Sequence, residues 1–171
     1  MIKIISKELI QQATREAAFL LENIPDSPDV ILCTLSGAVL FFSDVIRNME
    51  RTDFEIDFIK CKSYVSNGEQ VACDVQGPFG NVSLKDKNVL VIEDLVDTGR
   101  SIEAIYNHLQ RYQYKSLTFA TLLQRKGWEP DLSKYKFMKC FLVEKEEWLV
   151  GYGLDDNDKK RNLPEIYLCN N

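Results

Sequence analysis

A chain of 171 residues with 45% apolar and 27% charged side chains has the balance of an ordinary globular protein. Its length suits one domain able to bury roughly 70% of the surface its unfolded form exposes. A formal charge of −5 and a pI near 5.0 argue against the broad basic footprint behind non-specific nucleic-acid binding, and no apolar run approaches a membrane span. Five cysteines (Cys33, Cys61, Cys73, Cys140, Cys169) without CxxC spacing and one histidine, His108, encode neither a disulfide framework nor a zinc site. The opening MIKIISKELIQQ meets lysine, glutamate and glutamine too soon for a signal peptide, so a cytoplasmic protein with reduced thiols is expected.

From Ser6, the residues Leu9, Ile10, Ala13, Ala17, Leu20, Leu21 and Ile24 recur at helical spacing and stop before Pro25, which predicts an amphipathic helix. Val30–Leu35 is a continuous apolar run of the kind expected for a strand buried on both faces. After Ser36-Gly37 the helical spacing resumes with Phe41, Phe42, Val45, Ile46 and Met49. Phe54, Ile56 and Phe58 alternate with polar neighbours Glu55 and Asp57, predicting a strand with one buried face near a sheet edge. Between Lys62 and Lys87 three glycines and a proline interrupt a polar stretch; a connection this long in a compact domain serves as a lid or binding loop. We read residues 62–87 as a lid, a long hairpin being one form it could take.

Val89–Ile92 predicts another buried strand, ending at Glu93-Asp94. A turn follows, and then a helix carrying Ile102, Ile105, Tyr106 and Leu109 on one face, with His108 on its surface. Leu117–Leu123 and Phe137–Val143 read as further strands, with short ones near Leu149-Val150 and Ile166–Leu168. Buried strands alternating with helices predict an α/β domain, a mostly parallel central sheet flanked by helices with right-handed crossovers. A ligand belongs at the carboxyl ends of those strands.

The segment Asn88–Ser101, NVLVIEDLVDTGRS, concentrates the chemistry. A helix N-terminus offers unpaired amides and the positive end of the macrodipole, Gly99 permits close backbone approach, and Thr98 and Ser101 add hydroxyls, so the turn can cradle a monoester phosphate. Simple helix capping by Asp97, Thr98 or Ser101 is the competing explanation. The carboxylates Glu93, Asp94 and Asp97 are tolerable beside a phosphate only if they face sugar hydroxyls, a metal or a base proton.

This segment resembles the diphosphate-substrate motif of the phosphoribosyltransferase family, and its form EDLVDTGRS resembles the hypoxanthine–guanine branch. Three further stretches match in order: Leu35-Ser36-Gly37-Ala38 the pyrophosphate turn, Lys62-Ser63-Tyr64 the start of the lid, and Trp148–Asp155 with Arg161-Asn162-Leu163 the purine-binding and terminal segment. The resemblance implies the family's type I fold, with a small hood built from both chain ends. It also implies transfer of a phosphoribosyl group from phosphoribosyl pyrophosphate to a 6-oxopurine with Mg2+, in a homo-oligomer (dimer or tetramer).

By the same resemblance, Glu93 and Asp94 hold the ribose hydroxyls directly or through magnesium, and Asp97 faces the purine N7 and assists proton transfer. The backbone of Thr98, Gly99, Arg100 and Ser101 holds the 5-phosphate. Trp148 stacks on the purine while the backbone around Leu149 reads its edge. Asp155 ligates a second magnesium carrying pyrophosphate, Arg161 pairs with phosphate oxygens, and Ser63 and Tyr64 close over the centre. Two departures stand out. Ser36 occupies a position where many relatives carry lysine, and the cation that reads the 6-oxo group is either Arg125 or Lys126. Strand neighbours point to opposite faces, which favours Arg125. The rival reading is a regulatory RNA-binding protein on the same fold, of pyrimidine-operon attenuator type; the acidic balance and the Trp148–Asp155 segment count against it.

Overall fold

A computed structural model describes residues 1–66, 69–144 and 148–169, without the side chains of residues 63–72. Strand β1 (Ile2–Ile5) leads into helix α1 (Lys7–Asn23), where the Ser6 hydroxyl caps the N-terminus by accepting the Leu9 amide at 3.4 Å. Then follow β2 (Val30–Leu35), α2 (Val39–Asn48), β3 (Glu55–Ser66), β4 (Glu69–Gln76), β5 (Asn88–Val96) and α3 (Arg100–Leu109), which tightens into a 3-10 turn over Gln110–Tyr112. β6 (Ser116–Arg125), β7 (Lys136–Val143), β8 (Leu149–Val150) and β9 (Ile166–Leu168) complete the chain.

The main sheet has the order β4-β3-β2-β5-β6-β7, parallel except for the antiparallel edge strand β4. The continuous apolar strands are explained by burial on two faces. Ile31 and Cys33 of β2, Leu90 and Ile92 of β5, and Ala120 and Leu122 of β6 pack with α1 and α2 through Ala17, Leu21, Phe41 and Val45. Their neighbours Val30, Leu32, Val89, Val91, Leu117 and Phe119 pack on the other face with Ile102, Ile105 and Leu109 of α3. Fully burying each such side chain stabilises the fold by about 1.5–3 kcal/mol. A second, three-stranded sheet of order β1-β9-β8 joins the two ends of the chain. No helix among the described residues is long and apolar enough to cross a membrane.

Two sequence expectations require correction. β3 is buried on both faces rather than one: Phe54 and Phe58 pack on the α1–α2 side as expected, but Ile56 is 45% exposed, Asp57 is 3% exposed and Ile59 packs on the α3 side. The buried carboxylate accepts the amides of Phe58 (2.7 Å) and Gly80 (2.9 and 3.0 Å), so it anchors the returning chain, and those partners offset the cost of burying it. The first half of the 62–87 stretch takes the hairpin form that the sequence allowed, β3 pairing with β4, and β3 lies one strand in from the sheet edge. His108 is half-buried rather than on the open surface, its Nε2 2.6 Å from the Gly77 carbonyl oxygen, which ties α3 to the end of that hairpin.

Candidate active site

The carboxyl ends of three adjacent parallel strands converge on one region: β2 runs out at Leu35-Ser36, β5 at Val96-Asp97 and β6 at Arg125. β5 continues past Glu93-Asp94, where the strand was expected to end, and pairs with β6 up to Val96↔Gln124. Glu93 and Asp94 therefore sit on a rigid strand, and only Asp97–Gly99 form the turn into α3.

Capping does not account for that turn. The N-cap of α3 is Gly99, in the left-handed conformation (φ 76°), and it has no side chain with which to cap the first turn. Asp97, Thr98 and Arg100 are exposed and Ser101 is half-buried. A helix start without a side-chain cap keeps its donors available for an anion.

The acidic pair is asymmetric. Glu93 is 5% exposed; its Oε1 accepts the Asp94 amide at 3.2 Å, and its Oε2 is buried without a hydrogen-bond partner. Burial, reinforced by the neighbouring Asp94 carboxylate, raises the Glu93 carboxyl well above its ordinary value of 4.5. The folded protein thus binds this proton more tightly than the unfolded chain does. The resulting stability is complete below about pH 4.5 and is lost as pH rises through the folded value. Glu93→Gln, neutral at every pH, should remove that loss: in ligand- and metal-free urea melts the variant gains on the parent from pH 5 to pH 8. A constant difference across that range would show that Glu93 ionises without penalty.

Asp94 is fixed from another direction. Its Oδ1 accepts the Leu95 amide at 2.9 Å, and its carboxylate fills the space where Gly37 would carry a side chain; a Cβ there would overlap Oδ2 and lie 2.6 Å from Cγ. Gly37 follows the Leu35–Ser36 peptide bond, which is cis. Gly153, with φ 100°, lies on the Gly37 carbonyl, so the turn after β2, the acidic end of β5 and the segment after β8 press together at two glycines.

A cleft of about 380 Å³ opens beside this contact, bounded by Leu95, Arg125, Trp148, Leu149, Leu154 and Asp155. Trp148 is 54% exposed at its rim, whereas Leu149 is buried. Arg125 is 7% exposed; its Nη1 donates to the Glu144 carbonyl at 2.8 Å and its Nε lies 3.4 Å from Asp97 Oδ1. Lys126 instead turns outward to pair with the Glu144 carboxylate. Arg125, the last residue of β6, lines the cleft wall, and Lys126, past the strand's end, does not.

Asp155 and Arg161 meet as an ion pair (Oδ1 to Nη2, 2.9 Å), with Arg161 Nη1 donating to the Gly153 carbonyl at 2.7 Å and the Asp158 amide donating to Asp155 Oδ2 at 2.9 Å. Among the described residues no three or more metal-ligand side chains gather in one place. The backbone of Ser63 and Tyr64 lies in β3, and their side chains lie outside the described residues. Sequence reasoning did not single out Trp128, whose indole lies against Gly99; only its place shortly after β6 could have pointed to it.

The phosphoribosyl transferase domain family matches residues 2–157. The chain is 35% identical over 171 residues to a hypoxanthine-guanine phosphoribosyltransferase of Staphylococcus epidermidis, covering 95% of this chain and 90% of that one. It is 32% identical over 162 residues to a hypoxanthine-guanine-xanthine phosphoribosyltransferase of Tritrichomonas foetus, covering 92% and 85%. A crystal structure of a Bacillus anthracis hypoxanthine-guanine phosphoribosyltransferase superimposes with a TM-score of 0.77 at 31% identity, over 97% of this chain and 95% of that one.

Proposed function

The chain belongs to the phosphoribosyl transferase family, and from that premise we propose that it transfers the 5-phosphoribosyl group of phosphoribosyl pyrophosphate to N9 of a 6-oxopurine, releasing pyrophosphate. One observation carries this reading: Arg125 in the wall of the Trp148 cleft approaches Asp97 at 3.4 Å, and Asp97 opens the uncapped turn into α3. A base in the cleft and a phosphate on the turn would thus be held at the two ends of one nucleotide.

The roles that the family resemblance implies suit each residue's chemistry. Trp148 offers a flat apolar face for the purine, and the backbone at Leu149 meets the base edge. Arg125, which only donates hydrogen bonds, suits the 6-oxo acceptor and opposes the 6-amino group of adenine. Asp97 accepts or returns the purine proton at N7, and the amides of Thr98 to Ser101 bind the 5-phosphate. Glu93 and Asp94 accept the ribose hydroxyls. The amide of the Ser36-Gly37 turn and Arg161 face the departing pyrophosphate, for which a guanidinium fork is well matched. The β3–β4 hairpin with Ser63 and Tyr64 shields the anomeric carbon, where positive charge develops, from water.

The donor set fits magnesium. This ion takes oxygen ligands from one or two carboxylates and completes its shell with substrate phosphate and water oxygens, and the adjacent Glu93 and Asp94 carboxyls include a buried oxygen with no partner. Glu93 and Asp94 would hold it at the ribose, and Asp155 would hold a second ion. When bound, it supplies charge neutralisation of the leaving diphosphate.

Base selectivity tests this assignment. Guanine and hypoxanthine should be converted to nucleotide with kcat/KM at least about 10³-fold above adenine, given that sites built on hydrogen-bond matching reject mismatched analogues by about 10⁴–10⁵. Arg125→Met should narrow that gap by weakening the oxopurines. Equal use of adenine and guanine by the parent would remove Arg125 from the reading of the base.

A further inference from the structure

We propose that Tyr152 is a positioning residue that couples the purine cleft to the pyrophosphate turn, its hydroxyl tying the Trp148–Asp155 segment to α2 through Asp44; the proposal rests on the reading above. The phenol donates to Asp44 Oδ2 at 2.6 Å and lies 3.5 Å from the Leu40 carbonyl oxygen. Tyr152 is 6% exposed and packs in the cluster that includes Ala38, Phe41 and Phe42. Burial, reinforced by the Asp44 carboxylate, raises the phenol above its ordinary value, so it remains a donor.

Both ends of that bond are fixed to the site. Helix α2 begins at Val39, directly after the Leu35–Ala38 turn, and the Phe42 amide donates to the Ala38 carbonyl at 2.8 Å, so a shift of α2 is a shift of the turn. On the other side, Tyr152 stands between Leu149 and Leu154, which line the cleft, and its amide donates to the Leu163 carbonyl at 2.8 Å. Tyr152 also has φ 49°, a left-handed conformation that bulky side chains rarely adopt and that persists only where surrounding contacts hold it. The next residue, Gly153, lies against the Gly37 carbonyl oxygen. That contact is steric and resists approach alone, whereas the Tyr152–Asp44 bond resists separation. Together they fix the distance between the base-binding segment and the turn, so a base seated in the cleft presets the turn for pyrophosphate.

The test uses the full-length protein and calorimetry: the affinity for methylene diphosphonate with Mg2+, a stand-in for pyrophosphate, is measured with and without inosine 5-monophosphate filling the cleft. The nucleotide should raise that affinity about fivefold or more in the parent, the usual size of coupling between sites. In Tyr152→Phe, which keeps the ring and removes the hydroxyl alone, the factor should fall to within about twofold of unity. Asp44→Asn retains a carbonyl acceptor and should keep the parent factor, while Asp44→Ala should lose it as Tyr152→Phe does. A purely structural part would lower thermal stability in the variants and leave the factor unmoved. No gain from the nucleotide in the parent, a Tyr152→Phe factor equal to the parent's, or an Asp44→Asn that behaves as Asp44→Ala does, overturns the proposal. Should Tyr152→Phe fail to fold, the two Asp44 variants decide between the same outcomes. Failure of the parent to bind inosine 5-monophosphate at all removes the phosphoribosyl reading itself, and is told apart because it needs neither variant nor diphosphonate.

Discussion

Asp97→Asn should lower kcat by about 10²- to 10⁴-fold, the usual worth of general acid–base assistance, with KM for phosphoribosyl pyrophosphate and for guanine changed far less. Asparagine keeps the size and hydrogen-bonding reach of the side chain at the start of the turn but can neither take nor return a proton. The backbone amides that follow are unaffected, because α3 takes no side-chain cap from Asp97. Arg125 also keeps its bond to the Glu144 carbonyl, so the cleft wall stays in place. Steady-state kinetics with guanine separate the two quantities, and an unchanged kcat would remove Asp97 from proton transfer.

The second large effect belongs to Gly153. Alanine there must adopt φ near 100° and set its Cβ on the Gly37 carbonyl oxygen, 3.1 Å from the carbonyl carbon. Strain and overpacking each cost about 1–3 kcal/mol, so Gly153→Ala should destabilise the fold by about 3 kcal/mol and raise KM for phosphoribosyl pyrophosphate by displacing the Ser36-Gly37 turn. Gly127→Ala is the matched control, because Gly127 has φ 93° with nothing within 4 Å. It carries only the backbone strain, about 1–3 kcal/mol. Urea melts of the two variants that gave equal losses would show that the Gly153–Gly37 contact contributes nothing beyond conformation.

Much of the architecture was legible because burial on two faces leaves a signature that needs no partner. Val30–Leu35 and Val89–Ile92 are apolar without alternation, and each is a central strand. The Asp97–Ser101 turn was legible through residue types at fixed spacing, and the segment from Trp148 only through its resemblance to the family. Arg125 and Lys126 are separated by the end of β6, which falls between them.

What escaped the sequence depends on partners distant along the chain. β1 is a four-residue strand whose only described ladder is with β9 at the other end of the chain, through pairs such as Ile2↔Leu168. Alternation gave β3 one buried face, whereas Asp57 is buried on the other, where its carboxylate accepts the Gly80 amide. The glycine contacts that press Gly37 on Asp94 and Gly153 on Gly37, and the indole beside Gly99, arise where loops from separate strands meet. No local pattern encodes such meetings, yet they set the shape of the site.

The central claim is tested most directly by pyrophosphate release from phosphoribosyl pyrophosphate and Mg2+, with guanine, hypoxanthine, xanthine, adenine or uracil supplied in turn. The account predicts release, matched one-to-one by nucleoside monophosphate, with hypoxanthine and guanine and none above background with adenine or uracil. Release with uracil, or no release with any oxopurine, would contradict it.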